Sequence, residues 1–429
     1  MPTCVYRNYH KLLSEAPNPD SLLLDRNDTV AAAILQQISE HHHESIEVHP
    51  NLNEKIPQSV TYGPPTPALG WMYGEKGEKL VAFTTDPIVN HTLVALLRHE
   101  MTEWWQNNPS TSRYTYPGNH EVHLSDLCKH NSTIQHHVEE LLNNVVYPLV
   151  RAHFDLADAR QLCLYDSLLI RYNASLSTSP QGAGLPLHRD LGLVSVNIML
   201  NNEYQGGGTF FEALLSHPQP IQNPRGVGNA MLHDSWQRHG GAGTTAGVRD
   251  IWVLFVTTRQ THPQDVSTRL KIQARLAEAE EREQLLKLAL QMMPTDGEAW
   301  HHLGLTLRRK TPDMALQCLR RAILHTPNDA TLYNNLGLVL EQWHSTDSNA
   351  SLVAFERSLE LHRKCLEFGC YVQEEFDSTA WNYAVVLAER KLWIQVLQVL
   401  DLISHQGRHW LEAKDLKEYC QGQVPCETT

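Results

Sequence analysis

The sequence predicts a multidomain α+β protein. A β-barrel or sandwich core with flanking helices is followed by an all-α domain of helical repeats. Three observations predict this. Between about 160 and 259 the apolar pattern alternates with period two. After about 264 the pattern turns helical to the end. Within that helical part a block recurs at an offset of 33 residues. A chain of 429 residues is also too long for one core.

The first third, 1–130, reads as a mixed and helical region supporting the barrel. "TVAAAILQQISEHHHESI" (29–46) and "HTLVALLRHEMTEWWQNN" (91–108) carry helical spacing. The Pro/Gly-rich "PQSVTYGPPTPALGWMYGEKG" between them reads as loop. "STIQHHVEELLNNVVYPLVRAHF" (132–154) is amphipathic, with Ile134, Val138, Leu141, Leu142, Val145 and Leu149 in one stripe that should pack on the sheet.

The core, 131–260, offers the strands "CLYDSLLIRY", "LPLHRD", "VSVNIMLN", "GTFFEAL", "GNAMLHD" and "RDIWVLFVTT". Short strands without intervening helices indicate a barrel or sandwich. The repeat domain, 264–424, follows. "LALQMMPTDGEAWHHLGLTL" (288–307) matches "RAILHTPNDATLYNNLGLVL" (321–340), so that Ala289, Pro294, Asp296, Trp300 and Gly304 recur as Ala322, Pro327, Asp329, Tyr333 and Gly337. This closely resembles the tetratricopeptide repeat. A weaker third unit, 379–400, is preceded by about eleven extra residues, roughly 363–376, and 409–420 reads as a capping helix.

A net charge of −13 without a Lys/Arg run argues against nucleic acid or an anionic membrane as partner. No stretch has the apolar length of a membrane span, and the N-terminus lacks a signal-peptide core. Eight scattered cysteines read as free thiols in a reducing compartment, and the cytoplasm or nucleus is the expected location. Sequons at Asn131 and Asn173 carry little weight without a secretory signal.

The chemistry lies in 185–256. Residues i and i+2 of a strand project to the same side, so His188 and Asp190 extend together from "LPLHRD". An imidazole beside a carboxylate invites a divalent metal, and a third ligand must come from elsewhere. "LHDSWQRHGGAGTTAGVRDIWVLFV" offers His239, with Arg249 ten residues further on. Two histidines and one carboxylate leave coordination positions open, the arrangement of non-haem Fe(II) oxygenases.

With these residues the segment resembles the iron- and 2-oxoglutarate-dependent dioxygenases of the prolyl/lysyl hydroxylase branch. H-R-D (188–190), "NIMLN" (197–201), "GGGTFF" (206–211), His239 and Arg249 follow that branch in order, and "HGGAGTTAGVRDI" is similar to the lysyl hydroxylase form. The resemblance covers about a quarter of the chain and implies a double-stranded β-helix (jelly-roll) core. It further implies Fe(II) on His188, Asp190 and His239, with 2-oxoglutarate and dioxygen as cosubstrates and ascorbate as the expected reductant. Succinate and CO2 would form as a substrate C–H bond is hydroxylated. Arg249 would hold the far carboxylate of 2-oxoglutarate, because its planar fork binds a carboxylate bidentately and stays charged. Tyr172 matches the tyrosine that hydrogen-bonds the same group. Ser195, Asn197 and Met199 should face the pocket, and Thr209 is a further candidate. Met199 stands where some members have a second tyrosine.

The expected activity is hydroxylation of a prolyl or lysyl side chain, with the repeats recruiting a protein substrate or partner. Two other readings remain open: a small-molecule oxygenase, and an inactive interaction scaffold. Several features are set aside. "RHEMTE" has Glu103 where a zincin's second His would stand, and His41–His43 read as a solvated helix end. His233 lacks the ten-residue offset to Arg249 and reads as structural. Cys365 and Cys370 receive no role.

Overall fold

The computed structural model describes residues 68–423 apart from 75–76, 109–117, 155–161, 178, 180, 259–261, 344–347, 371 and 406. The 29–46 helix and His41–His43 therefore lie outside the described residues. The described chain divides into two compact units, the first running to Thr268 and including 368–370, the second made of the rest from Arg269 onward.

The first unit combines helices with antiparallel sheet. Its strands are β1 (Leu69–Tyr73), β2 (Lys79–Thr84), β3 (Asn119–His123), β4 (Leu162–Asn173), β5 (Ala183–His188), β6 (Val194–Met199), β7 (Tyr204–Gly206), β8 (Thr209–Phe211), β9 (Ile221–Gln222), β10 (Ala230–Asp234) and β11 (His239–Thr258). The larger sheet has the order β1-β2-β10-β6-β11-β4-β3. A smaller set, β5, β7 and β8, pairs with the first half of β11, and β9 pairs with β8.

Two expectations change here. β11 is a continuous 20-residue strand from His239, not one opening at Arg249. Its first half pairs in one sheet and its second half in the other, so the strand ties the two together. The glycines of "HGGAGTTAG" hide this run from a reading by apolar alternation. The supposed loop around "LGWMY" is β1, a half-buried edge strand whose Pro/Gly flanks masked it.

Helices α1 (His91–Asn107), α2 (Leu124–His130), α3 (Ser132–Leu141) and α4 (Tyr147–His153) accompany the strands. Asn90 caps α1 by accepting the Leu93 N–H at 2.8 Å. His99 and Glu103 are exposed on α1. The even-numbered side of β6 and β11, with Val194, Val196, Ile198, Trp252, Leu254 and Val256, packs against Leu97 and Met101 of α1 and Ile134 and Val138 of α3 in one core. Between α3 and α4 the chain takes a π-turn, Leu142–Val146. The wider turn moves the apolar stripe by one residue, so Val146 is buried and Val145 only half so.

The opposite face of the sheet turns toward β5. Leu168, Ile170, Tyr172, Ile251 and Val253 cluster with Ala183 and Leu185. Ser195, Asn197 and Met199 share this inner face, because each pairs in register with an inward residue of β11.

The second unit contains α5 (Pro263–Leu276, which straddles the division), α6 (Ala279–Met292), α7 (Gly297–Leu307), α8 (Pro312–His325), α9 (Ala330–Trp343), α10 (Ser348–Glu367), α11 (Gln373–Glu389), α12 (Trp393–Leu400) and α13 (Trp410–Gln421). The repeated residues do the same work twice. The Trp300 indole N–H donates to the Pro294 carbonyl at 2.8 Å, and the Tyr333 hydroxyl to the Pro327 carbonyl at 2.7 Å. Asp296 accepts the Ala299 N–H, and Asp329 the Thr331 N–H. Ala289 and Ala322 are fully buried. At Gly337 an added methyl would meet the Phe355 ring at 2.9 Å, so the glycine permits close helix approach. The extra residues before the third unit lengthen α10 to 20 residues and α11 to 17. Cys365 and Cys370, at the α10–α11 connection, are buried. In α13 only Ala413 and Cys420 are buried.

Tyr333→Phe removes one hydrogen bond and leaves a carbonyl without its donor. It is expected to destabilise the protein by about 1 kcal/mol. Trp300→Phe also loses volume and should cost about 1–3 kcal/mol. Denaturant unfolding measures both, and unchanged midpoints would show that the repeated bond does not contribute.

All six cysteines among the described residues are buried. No described helix is long and apolar enough to cross a membrane.

Candidate functional site

The site is assembled where β5 meets the start of β11. His188, the last residue of β5, lies directly opposite His239, the first of β11. Their rings are 4.6 Å apart. Each imidazole is anchored in the same way. Nδ1 of His188 lies 2.8 Å from the Pro186 carbonyl oxygen, and Nδ1 of His239 lies 2.8 Å from that of Gln237. A carbonyl only accepts, so Nδ1 carries the proton and donates in both. Both Nε2 lone pairs are thereby free to act as ligands.

They point at one carboxylate. His188 Nε2 is 3.4 Å from Asp190 Oδ1, and His239 Nε2 is 3.3 Å from Asp190 Oδ2. Asp190 stands just past the end of β5, where its N–H donates to the Ser235 carbonyl at 2.9 Å. Burial alone would raise the Asp190 carboxyl, but the His239 and His188 imidazoles hold it well below the usual carboxylate range. The ligand atoms of His188, Asp190 and His239 lie within 4.8 Å of one another. Two imidazoles and a carboxylate so arranged fit a divalent transition metal, which would displace any proton on Nε2.

Further along β11, Arg249 is only 1% exposed. Among the described residues its Nε has no hydrogen-bond partner. The adjacent Asp250 faces the other side of the sheet, where Arg171 and Arg98 pair with it. Tyr172 is the cross-strand neighbour of Arg249, and the guanidinium carbon stands 5.1 Å from the centre of its ring. The Tyr172 hydroxyl lies over Gly241, where an added methyl would be 3.4 Å away. A guanidinium taken out of water costs several kcal/mol unless an anion meets it.

Gly207 lies against this end of the pocket, with φ at +70°. An added methyl there would stand 2.9 Å from Arg249 Cδ and 3.0 Å from Thr244 Oγ1. Thr244 is fully buried, and its hydroxyl has no partner among the described residues. Sequence reading passed over Thr244. Alternation from His239 places it on the wrong face, but the register of β11 shifts on both sides of it.

The remaining candidates spread along the inner face. Ser195 donates to Asp190 Oδ2 at 2.5 Å, so its hydroxyl serves the metal carboxylate. Asn197 Nδ2 approaches His233 Nε2 at 3.5 Å. Met199 pairs with Ile251, two residues along β11 from Arg249. Thr209 is buried on β8, opposite Gly241. His233, read from sequence as structural, is fully buried with its ring 4.5 Å from that of His239. It stays outside the ligand cluster. Burial pushes its imidazole down to about 3, and its Nδ1–H donates to the Asp234 carbonyl at 2.9 Å.

No described protein family and no curated protein matches the sequence. Solved structures do resemble it. One is a Pseudomonas putida prolyl-4-hydroxylase, 14% identical, covering 42% of this chain and 93% of that one, with a TM-score of 0.30. Another is the non-haem α-ketoglutarate-dependent carbocyclase SnoK from nogalamycin biosynthesis, 14% identical over 41% of this chain and 79% of that one, TM-score 0.31. A third is HygX from Streptomyces hygroscopicus with nickel and 2-oxoglutarate bound, 14% identical over 41% and 82%, TM-score 0.29.

Proposed function

We propose that the chain is an Fe(II)- and 2-oxoglutarate-dependent dioxygenase that hydroxylates a prolyl or lysyl side chain of a protein. The observation that carries this reading is the His188–Asp190–His239 cluster together with the buried, unpartnered Nε of Arg249 on the same strand, β11, as His239. A metal site alone fits many chemistries. A metal site with a buried cation waiting for a carboxylate fits few.

In this reading Nε2 of His188, a carboxylate oxygen of Asp190 and Nε2 of His239 hold the iron. Arg249 receives the far carboxylate of 2-oxoglutarate, and Tyr172 flanks it. The apolar wall of Ile170, Leu185, Ile251 and Val253 keeps water from the region between them. The bound iron and cosubstrate supply oxidative decarboxylation to succinate and CO2, coupled to hydroxylation of a C–H bond. Ascorbate serves as reductant. The core is read as a double-stranded β-helix, and the second unit as tetratricopeptide-like repeats that recruit the protein substrate or a partner in the cytoplasm.

The test is succinate formation from 2-oxoglutarate by purified full-length protein with Fe(II) and ascorbate. Iron-dependent succinate is expected even without the prime substrate, through slow uncoupled turnover, and more on addition of a peptide that is a substrate. No succinate with iron demonstrably bound would overturn the assignment.

A further inference from the structure

The Asp190 carboxylate does not meet the ligand cluster alone. Ser195 Oγ lies 2.5 Å from Asp190 Oδ2, and Ser235 Oγ lies 3.0 Å from Ser195 Oγ. Both serines are fully buried. Proton counting orients the chain. A hydroxyl has one proton. The carboxylate can only accept, so the Ser195 proton goes to Asp190. Ser195 must then accept from Ser235, whose proton is fixed in turn. Each bond polarises the next, and the bond to the carboxylate is the charge-assisted one. Ser235 also touches Asp190 directly, since its carbonyl accepts the Asp190 N–H at 2.9 Å. Ser195 and Ser235 come from β6 and from the residue following β10, so the relay exists only once those strands are paired.

We propose that Ser235 and Ser195 form a directed hydroxyl relay onto Asp190 Oδ2 that fixes the carboxylate in the orientation in which it meets the two imidazoles. Ser195 is thereby a positioning residue for the metal ligand and not a contact of the cosubstrate. The inference rests on the metal-site reading above.

Its test is equilibrium binding of Mn(II) and Co(II) to the full-length protein, with Ser195→Ala, Ser235→Ala and the double variant beside wild type. Losing an outer-shell partner of a metal ligand typically costs about 10–100-fold in affinity. Ser195→Ala is expected to show a loss in that range. Ser235→Ala should lose less, about 2–5-fold, because it acts through Ser195. The double variant should be no weaker than Ser195→Ala. The Co(II) absorption of Ser195→Ala should also differ from that of wild type, as the Asp190 carboxylate is no longer held in one orientation. Thermal melting controls for folding. Wild-type affinity and spectrum in a folded Ser195→Ala would overturn the relay and leave the metal site standing. If wild type itself binds neither ion, the metal-site reading fails and the relay with it. Should Ser195→Ala not fold, a Ser235→Ala variant with unchanged affinity and spectrum overturns the relay instead.

Discussion

Replacing His188, Asp190 or His239 by alanine is expected to abolish metal binding and succinate formation together. Each residue supplies one ligand atom, and only two would remain. The loss should exceed the roughly 100-fold that removal of an outer-shell partner costs, since here the bond to the metal is itself deleted. Geometry sets the three apart from other polar residues of the pocket. His188 and His239 face each other across the pairing of β5 and β11, and both send Nε2 toward Asp190. His233 is the internal control. It is the nearest other imidazole, but its Nε2 lies toward Asn197. Titration with Mn(II), followed by electron paramagnetic resonance, measures the affinities. Any of the three alanine variants binding as wild type does would remove that residue from the site.

Arg249→Met should separate binding from stability. Removing one partner of a buried charge pair costs about 2–5 kcal/mol, a loss of about 30- to several-thousand-fold in affinity for 2-oxoglutarate. The ligand-free protein should be as stable as wild type or more so. The buried guanidinium is a cost in the empty pocket, and an apolar side chain of similar volume removes it. Arg249→Lys keeps the charge but not the planar fork, and should fall between the two. Calorimetric titration of 2-oxoglutarate into Mn(II)-loaded protein gives the first quantity and thermal unfolding the second. An Arg249→Met variant that binds 2-oxoglutarate normally would show that the acid's far carboxylate goes elsewhere. One that unfolds at much lower temperature would show that Arg249 has a structural partner after all.

Much of this site could be read along the chain because its members recur at fixed short spacings. His188 and Asp190 are two apart, and His239 and Arg249 are ten apart. The 33-residue repeat was visible for a similar reason. A local unit reuses its residues, and Trp300 and Tyr333 each donate to a proline carbonyl six positions back. Other features needed the fold. β1 was hidden because an edge strand is only half buried and its Pro/Gly surroundings look like loop. The start of β11 was hidden because its glycines and threonines carry no apolar alternation. Val145 was placed in the buried stripe in place of Val146 because a π-turn changes the helical period within one turn.

The sequence by itself determined which residues could ligate a metal and their order, the arginine ten residues beyond His239, and the change from period two to helical period. These follow from the stereochemistry of a few consecutive residues. Tertiary structure alone decided that His188 faces His239, that Thr244 lies beside Arg249, and that Ser235 reaches Asp190 through Ser195. Those contacts depend on strand register and on irregularities in it. A shift of one residue turns every side chain to the opposite face. No local pattern records which of two distant strands will supply the partner.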